Sequence, residues 1–167
     1  LQLHELKEVE LAGGTRIPTL DEVLAVVPGW INVEIKPPPS GQVAAWARAV
    51  SDVIDRAGAT ERVLVTSFHP GVVAWLRLWR RTLEVGFLFH AQQRLPLRRG
   101  WPASLLRPAA IHPEHVLIGE REIRRWQHQG LAVGAWTVDD PRRARRLRDL
   151  GVTALITNVP GRICAAL

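Results

Sequence analysis

Short apolar runs alternate along this chain with longer stretches in which apolar residues recur at helical spacing. The run at 31–36, Ile31-Asn32-Val33-Glu34-Ile35-Lys36, alternates strictly. As a strand it places Val33 and Ile35 on one face and Asn32, Glu34 and Lys36 on the other. Pro28-Gly29 precede it, and Pro37-Pro38-Pro39 follow, a triplet that neither a helix nor a central strand tolerates. Apolar runs at 63–67, 84–89, 109–112, 132–138 and 152–157 predict five further strands. Helices are predicted between them. Thr19 with Glu22 makes a capping box for 20–27, whose stripe is Leu20, Val23, Leu24 and Val27. Ser40 is placed to cap a helix over 41–57 that Gly58 ends, and Pro70 opens one carrying Val72, Val73, Leu76 and Trp79. A helix over 119–129 stops at Gly130, and Asp139 or Asp140 caps another over 141–149. Residues 3–11 read as a short helix or loop, and 90–108 is the least periodic stretch, with a short helix at 102–107.

Six strands alternate with helices and no hairpin signal joins any two, which is a parallel β/α pattern. A doubly wound sheet of this class would carry a glycine-rich phosphate loop after an early strand, and no G-x-G-x-x-G is present. Polar or chemically distinctive residues instead stand at nearly every strand end: Glu34 with Lys36, Ser67, His90, His112, Trp136 and Asn158. Such residues gathered from many strands suit a barrel, where all the C-terminal strand ends meet at one mouth. A carboxylate and an ammonium two residues apart there could hold a cation and an anion side by side; on an exposed edge strand they would be ordinary surface charges. Eight-stranded barrels run to about 250 residues. The 167 residues here are expected to form roughly the last six β/α units of a TIM (β/α)8 barrel, in one domain.

Composition narrows the partners. The formal charge is +6, carried almost entirely by arginine, with lysine only at Lys7 and Lys36. No helix-turn-helix, zinc finger or aromatic-basic single-strand platform accompanies that charge, so nucleic acid is not an expected partner. The single cysteine, Cys164, excludes an intrachain disulfide and a cysteine-rich metal site. No apolar run reaches spanning length and no signal-peptide pattern opens the chain, so the expectation is a cytoplasmic protein without stable membrane insertion, with a signal peptide left open because the true N-terminus is expected upstream.

Several segments together resemble the glycerophosphodiester phosphodiesterase family. They are Ile17-Pro18-Thr19-Leu20-Asp21-Glu22-Val23-Leu24, Asn32-Val33-Glu34-Ile35-Lys36, Ser67-Phe68, Gly134-Ala135-Trp136-Thr137-Val138-Asp139-Asp140, and Gly151-Val152-Thr153-Ala154-Leu155-Ile156-Thr157-Asn158-Val159-Pro160. The resemblance implies a barrel whose third to eighth strands are present. It also implies hydrolysis of glycerophosphodiesters to glycerol 3-phosphate and an alcohol with a divalent cation, Mg²⁺ or Ca²⁺. Family members begin with His-Arg-Gly, Glu-x-Asp and His-Asp strands, which carry the two catalytic histidines and two acidic metal ligands. None of those motifs occurs here, so the chain is expected to be a truncated representative, inactive alone.

Residue by residue, the resemblance makes Glu34 the metal ligand and Lys36 the catalytic and substrate-binding group on the phosphate. It makes Trp136 a pocket wall against the glycerol carbons and puts Ser67 at the rim. Two alternatives stand beside these: a Glu34–Lys36 ion pair and a core role for Trp136. His112 ends its strand and could point into the mouth as a further substrate contact, and His90 has a weaker claim. A nucleophilic role for Ser67 would need a base and a third group, and no elbow motif surrounds it. Asn158 is expected to close the last loop, and Trp46, Trp75, Trp79 and Trp126 to pack helices on the sheet. Trp101 could admit a lipid-like head group, and the arginine run at 142–148 reads as a solvated helix face. Two other activities remain open: a non-catalytic barrel that binds phosphate esters or a partner, and phospholipase D-like action on lysophospholipids.

Overall fold

The structure, a computed structural model, describes residues 2–11 and 13–167. Six strands form one sheet: β1 (Ile31–Ile35), β2 (Val63–Ser67), β3 (Glu84–Phe89), β4 (Ala110–Pro113), β5 (Ala132–Ala135) and β6 (Ala154–Leu155). The helices are α1 (Leu3–Glu8), α2 (Leu20–Val26), α3 (Val43–Arg56), α4 (Pro70–Trp79), α5 (Leu95–Arg98), α6 (Trp101–Leu106), α7 (Glu120–His128), α8 (Pro141–Asp149) and α9 (Pro160–Cys164). Every neighbouring strand pair is parallel, and the spatial order is the chain order from β1 to β6. A doubly wound sheet reverses its order at a switch point; this one never does. Consecutive parallel strands, each reached through helical structure, follow the path of a β/α barrel. The expected six units are present, but among the described residues they form an open arc with β1 and β6 as free edges, not a closed barrel.

Strand parity explains why the sheet has only one helical side. Ile35, Val63, Val65, Val85, Phe87, Phe89, Ile111, Val133 and Ala135 belong to one buried cluster, and all stand at odd positions. The same cluster takes in Ile54 of α3, Val72, Val73 and Leu76 of α4, Ile123 and Trp126 of α7, and Ala144 and Leu147 of α8. The helices thus pack on the odd face, where each fully buried large apolar side chain contributes about 1.5–3 kcal/mol. Even positions face the opposite, concave side, with Asn32, Glu34, Thr66, Gly86, Ala110, His112 and Gly134 among them. The register sets Glu34, Thr66, Gly86, Ala110 and Ala132 at one level across five strands. Small residues make that level a floor; a Cβ on Gly86 would come within 2.9 Å of Thr66 Cγ2.

Several boundaries differ from the sequence expectation for local reasons. The α3 helix starts at Val43 with Gln42, not Ser40, at its N-cap. The proline triplet ends in a turn, with Gln42 N donating to Pro39 O at 3.0 Å and Gly41 in the left-handed region at φ +78°, which delays helix entry. The strands expected over 132–138 and 152–157 shrink to β5 and β6; past their ends single backbone bonds persist, with Val138 N donating to Ile156 O at 2.9 Å, and Asp139 adds side-chain bonds to Thr157 and Asn158. The irregular stretch 90–108 holds two short helices, α5 and α6. Of the four helical tryptophans, Trp126 is buried in the core, whereas Trp79 is 68% exposed at the last position of α4 and Trp46 is 40% exposed, its indole N–H donating to Gln42 Oε1 at 3.0 Å. The expectation that all four pack onto the sheet is corrected accordingly.

Candidate active site

The position of β1 is set by an arginine that sequence reasoning passed over. Arg62, just before β2, donates from Nη1 to Val27 O (2.7 Å) and Gly29 O (3.2 Å), and from Nη2 to Leu24 O (2.5 Å). These carbonyls lie at the end of α2, where a helix leaves its last acceptors unpaired. One guanidinium therefore pins the α2–β1 turn to the neighbouring strand. Beyond it, Lys36 Nζ donates to Glu34 Oε1 at 2.8 Å. The lysine side chain is 73% exposed and the carboxylate 29%. Such an exposed pair is worth about 0–1 kcal/mol, so Lys36 is held only loosely by Glu34. Below them, Thr66 Oγ1 donates to Asn32 Oδ1 at 3.0 Å and ties β1 to β2 on the concave face.

Ser67 stands at an odd position and does not share that face. Its Oγ donates to Ile35 O at 2.7 Å and accepts from His69 N at 3.1 Å, while the His69 imidazole Nδ1 accepts from Gly71 N at the start of α4. The hydroxyl is a buried latch between the ends of β1 and β2, and the neighbouring imidazole is a helix cap. The serine hydroxyl and the imidazole each meet backbone groups, not each other.

His112 lies on the concave face of β4 and is 4% exposed. A Cβ on Gly134 would sit 2.6 Å from His112 Cδ2, so the glycine is what leaves room for the ring. Burial pushes the imidazole down from 6.5 to about 4, and its Nδ1 has no hydrogen-bond partner. It is therefore a neutral ring near pH 7, able to give one hydrogen bond and accept one. The tryptophan above it is locked by its own N–H: Trp136 Nε1 donates to His112 O at 2.7 Å. Phe68 meets the Trp136 ring edge-on at 5.3 Å and the His90 ring at 5.8 Å. Trp136, Phe68 and His90 form one aromatic wall at the strand ends.

The rim is bound together by acidic residues. Glu114, which follows β4, accepts from Ala91 N at 2.9 Å and bridges to Trp136, joining three strand ends. Its signal in the sequence was an acidic residue directly after a strand-ending proline. Asp140 caps α8 by accepting from Arg142 N and Arg143 N. Asp139 instead accepts from Thr157 Oγ1 (2.9 Å), Asn158 N (2.8 Å) and Asn158 Nδ2 (2.9 Å). These bonds hold its carboxyl below the usual range, chiefly through the Asn158 backbone N–H. Asn158 thus closes the last loop onto β5. The arginine run is not wholly solvated either: Arg143 Nη2 donates to His115 O and Ile118 O, clamping the loop ahead of α7.

A divalent cation of the hard type takes six or more oxygen ligands, with near-octahedral geometry for Mg²⁺. Among the described residues no group of three or more His, Cys, Asp or Glu side chains is arranged to hold a metal. Glu34 offers one carboxylate, and one of its oxygens already faces Lys36. These residues do not make a metal site by themselves.

The sequence profile of the glycerophosphoryl diester phosphodiesterase family matches residues 1–162. The chain is 27% identical to Glycerophosphodiester phosphodiesterase GDPD4 of Arabidopsis thaliana, covering 96% of this chain and 51% of that protein. It is 25% identical to the Mycobacterium tuberculosis protein named Probable glycerophosphodiester phosphodiesterase 2, covering 95% of this chain and 62% of that one. The chain thus spans between half and two thirds of those relatives. A glycerophosphodiester phosphodiesterase from Parabacteroides distasonis superposes with a TM-score of 0.83 at 21% identity, over 98% of this chain and 69% of that one. A phosphodiesterase from Oleispira antarctica, solved with the product sn-glycerol-3-phosphate, gives 0.83 at 21% identity, over 99% and 70%. At such identities the structures speak for the fold, while the profile match over nearly the whole length speaks for descent: the chain belongs to the glycerophosphoryl diester phosphodiesterase family.

Proposed function

We propose that the complete protein hydrolyses glycerophosphodiesters to an alcohol and glycerol 3-phosphate at the mouth formed by these strand ends. The observation that carries this reading is the pairing of Glu34 and Lys36 at the concave end of β1, with the Trp136–Phe68–His90 wall at the same end of the sheet. In the overall reaction a P–O bond to the alcohol breaks, a P–O bond to oxygen from water forms, and one proton passes to the leaving oxygen. Lys36 contacts a non-bridging phosphate oxygen and offsets charge that grows as phosphorus is attacked. Its loose pairing lets the ammonium leave Glu34 for the phosphate. Trp136 presents its ring to the glycerol carbons, since its N–H is already engaged by His112 O. His112 offers a hydrogen bond from a neutral ring below. Ser67 acts by holding the β1 end in register, with its hydroxyl on Ile35 O.

Glu34 would be one donor to a Mg²⁺ or Ca²⁺ ion whose other ligands lie outside these residues. Such an ion would supply positive charge beside the phosphate. The acid–base pair for the proton is likewise not found on this concave face, where His112 resists protonation. The 167-residue chain alone is therefore expected to be inactive. Purified chain and complete protein, assayed in parallel on glycerophosphocholine with Mg²⁺ and with Ca²⁺, test both halves of this reading. Glycerol 3-phosphate is expected from the complete protein only. Metal-dependent release by the chain alone would mean that the catalytic groups have been misplaced. A complete protein that binds the ester without cleaving it would make this a non-catalytic barrel.

A further inference from the structure

Between β3 and β4 the chain makes an excursion through α5 and α6 that carries apolar side chains into solvent. Leu95 is 53% exposed, Trp101 54% and Leu105 85%. Trp101 stands between two clefts of different character. On one side, a cleft of about 470 Å³ is lined by apolar groups, including Ala74 of α4 with Pro96, Pro102 and Leu105. On the other, a cleft of about 510 Å³ is lined by Arg98, Arg99, Arg121 and Arg125, with Glu122 its one acidic residue. Arg125 is engaged by Arg99 O and by the Trp126 ring. Among the described residues none of these four guanidinium groups joins an ion pair with a carboxylate.

The excursion lies away from the open edges of the sheet. The open edges of the arc are β1 and β6, and the excursion lies at β3 and β4, two strands in from either edge. Strands paired at those edges would lie beyond β1 and β2 on one side and beyond β5 and β6 on the other. The charge pattern selects the partner. Four arginines with a single carboxylate, Glu122, among them keep an excess of positive charge that anions would offset, and exposed leucines and tryptophan favour the boundary between head groups and acyl chains. A nucleic acid would meet the arginines but leave Leu95 and Leu105 in water. An anionic lipid surface satisfies both sets of side chains together.

We propose that the α5–α6 excursion is a peripheral docking surface for anionic phospholipid bilayers. Trp101, Leu95 and Leu105 enter the head-group boundary while Arg98, Arg99 and Arg121 meet lipid phosphates. The attachment is reversible, and it stands independently of whether the mouth hydrolyses an ester.

Flotation of the full 167-residue chain with vesicles tests it, using phosphatidylcholine alone and phosphatidylcholine mixed with phosphatidylglycerol. Binding is expected only to the anionic vesicles. It should weaken in near-molar salt, where charges are screened beyond about 3 Å. Leu105→Asp should lower partitioning about tenfold, from lost apolar insertion and added repulsion. That position is 85% exposed, so circular dichroism should show an unchanged fold. Arg98→Gln and Arg121→Gln should each cost about fivefold. Arg142→Gln and Arg146→Gln, exposed on α8, should leave binding as it was. No binding to anionic vesicles, equal binding to neutral ones, or wild-type binding by Leu105→Asp would overturn the proposal. So would a short RNA that binds the Leu105→Asp variant as tightly as wild type and displaces the vesicles.

Discussion

At the scale of single residues, His112 carries a measurable signature. Its folded value is about 4 against 6.5 when exposed, so the unfolded chain takes up a proton first as pH falls. Stability is therefore lost from pH 6.5 down toward 4, by up to about 3 kcal/mol, and levels off below. His115, also lowered by burial, adds to the same slope. Melting curves across this window should fall steeply for wild type and less so for His112→Asn; equal slopes would place the ring in water. Ser67 separates a latch from a substrate contact. Ser67→Ala removes a buried donor to Ile35 O and should destabilise by about 1–3 kcal/mol. Denaturant titration checks that, while KM for the ester in the complete protein should stay near wild type. A large rise in KM with unchanged stability would return Ser67 to the rim. Sequence alternation put Glu34 and Lys36 on one face and gave Trp136 the parity of Gly134, because parity is a property of the strand, whereas His112 was a candidate by its place at a strand end. Alternation also puts Ser67 on the other face once the strand is seen to run from Val63, yet the serine's place at a strand end drew it toward the mouth.

At the scale of elements, what could be read in advance follows how local the cause is. The Thr19–Glu22 capping box of α2 is present, with Thr19 N donating to Glu22 Oε2 at 2.7 Å. Its signal lies within four residues. The strands β2 and β3 match their expected limits, since apolar runs alone define them. The ends of β5 and β6 did not, since past them the segments are joined by single backbone bonds and by Asp139 to Thr157 and Asn158, contacts between residues far apart in sequence. Arg62 is the same kind of case. Its guanidinium serves carbonyls more than thirty positions away, and nothing in the local pattern distinguishes it from other arginines. Arg62→Ala should leave three carbonyls of the α2–β1 turn without their partner and lower stability by about 1–3 kcal/mol. Hydrogen exchange should show the amides of α2 and β1 opening faster while β3 keeps its protection. Uniform acceleration across the sheet would mean that the turn is not an independent anchor.

At the scale of the whole molecule, one parity rule holds across five strands and sorts core from mouth: odd residues meet helices, even residues meet the concave side. The concave side is lightly furnished, with a small-residue floor, one neutral histidine and one charged pair. That charged pair, Glu34 with Lys36, lies at the end of β1, and the proposed hydrolysis depends on it. The most direct measurement combines calorimetric metal titration with turnover on glycerophosphocholine for Glu34→Gln and Lys36→Ala in the complete protein. Glu34→Gln should weaken metal binding and abolish most activity, since the amide keeps an oxygen but loses the charge. Lys36→Ala should bind metal nearly as wild type does while losing about 2 to 4 kcal/mol of transition-state stabilisation. Near-wild-type turnover of both variants at saturating metal would contradict the account and place the chemistry elsewhere on the barrel.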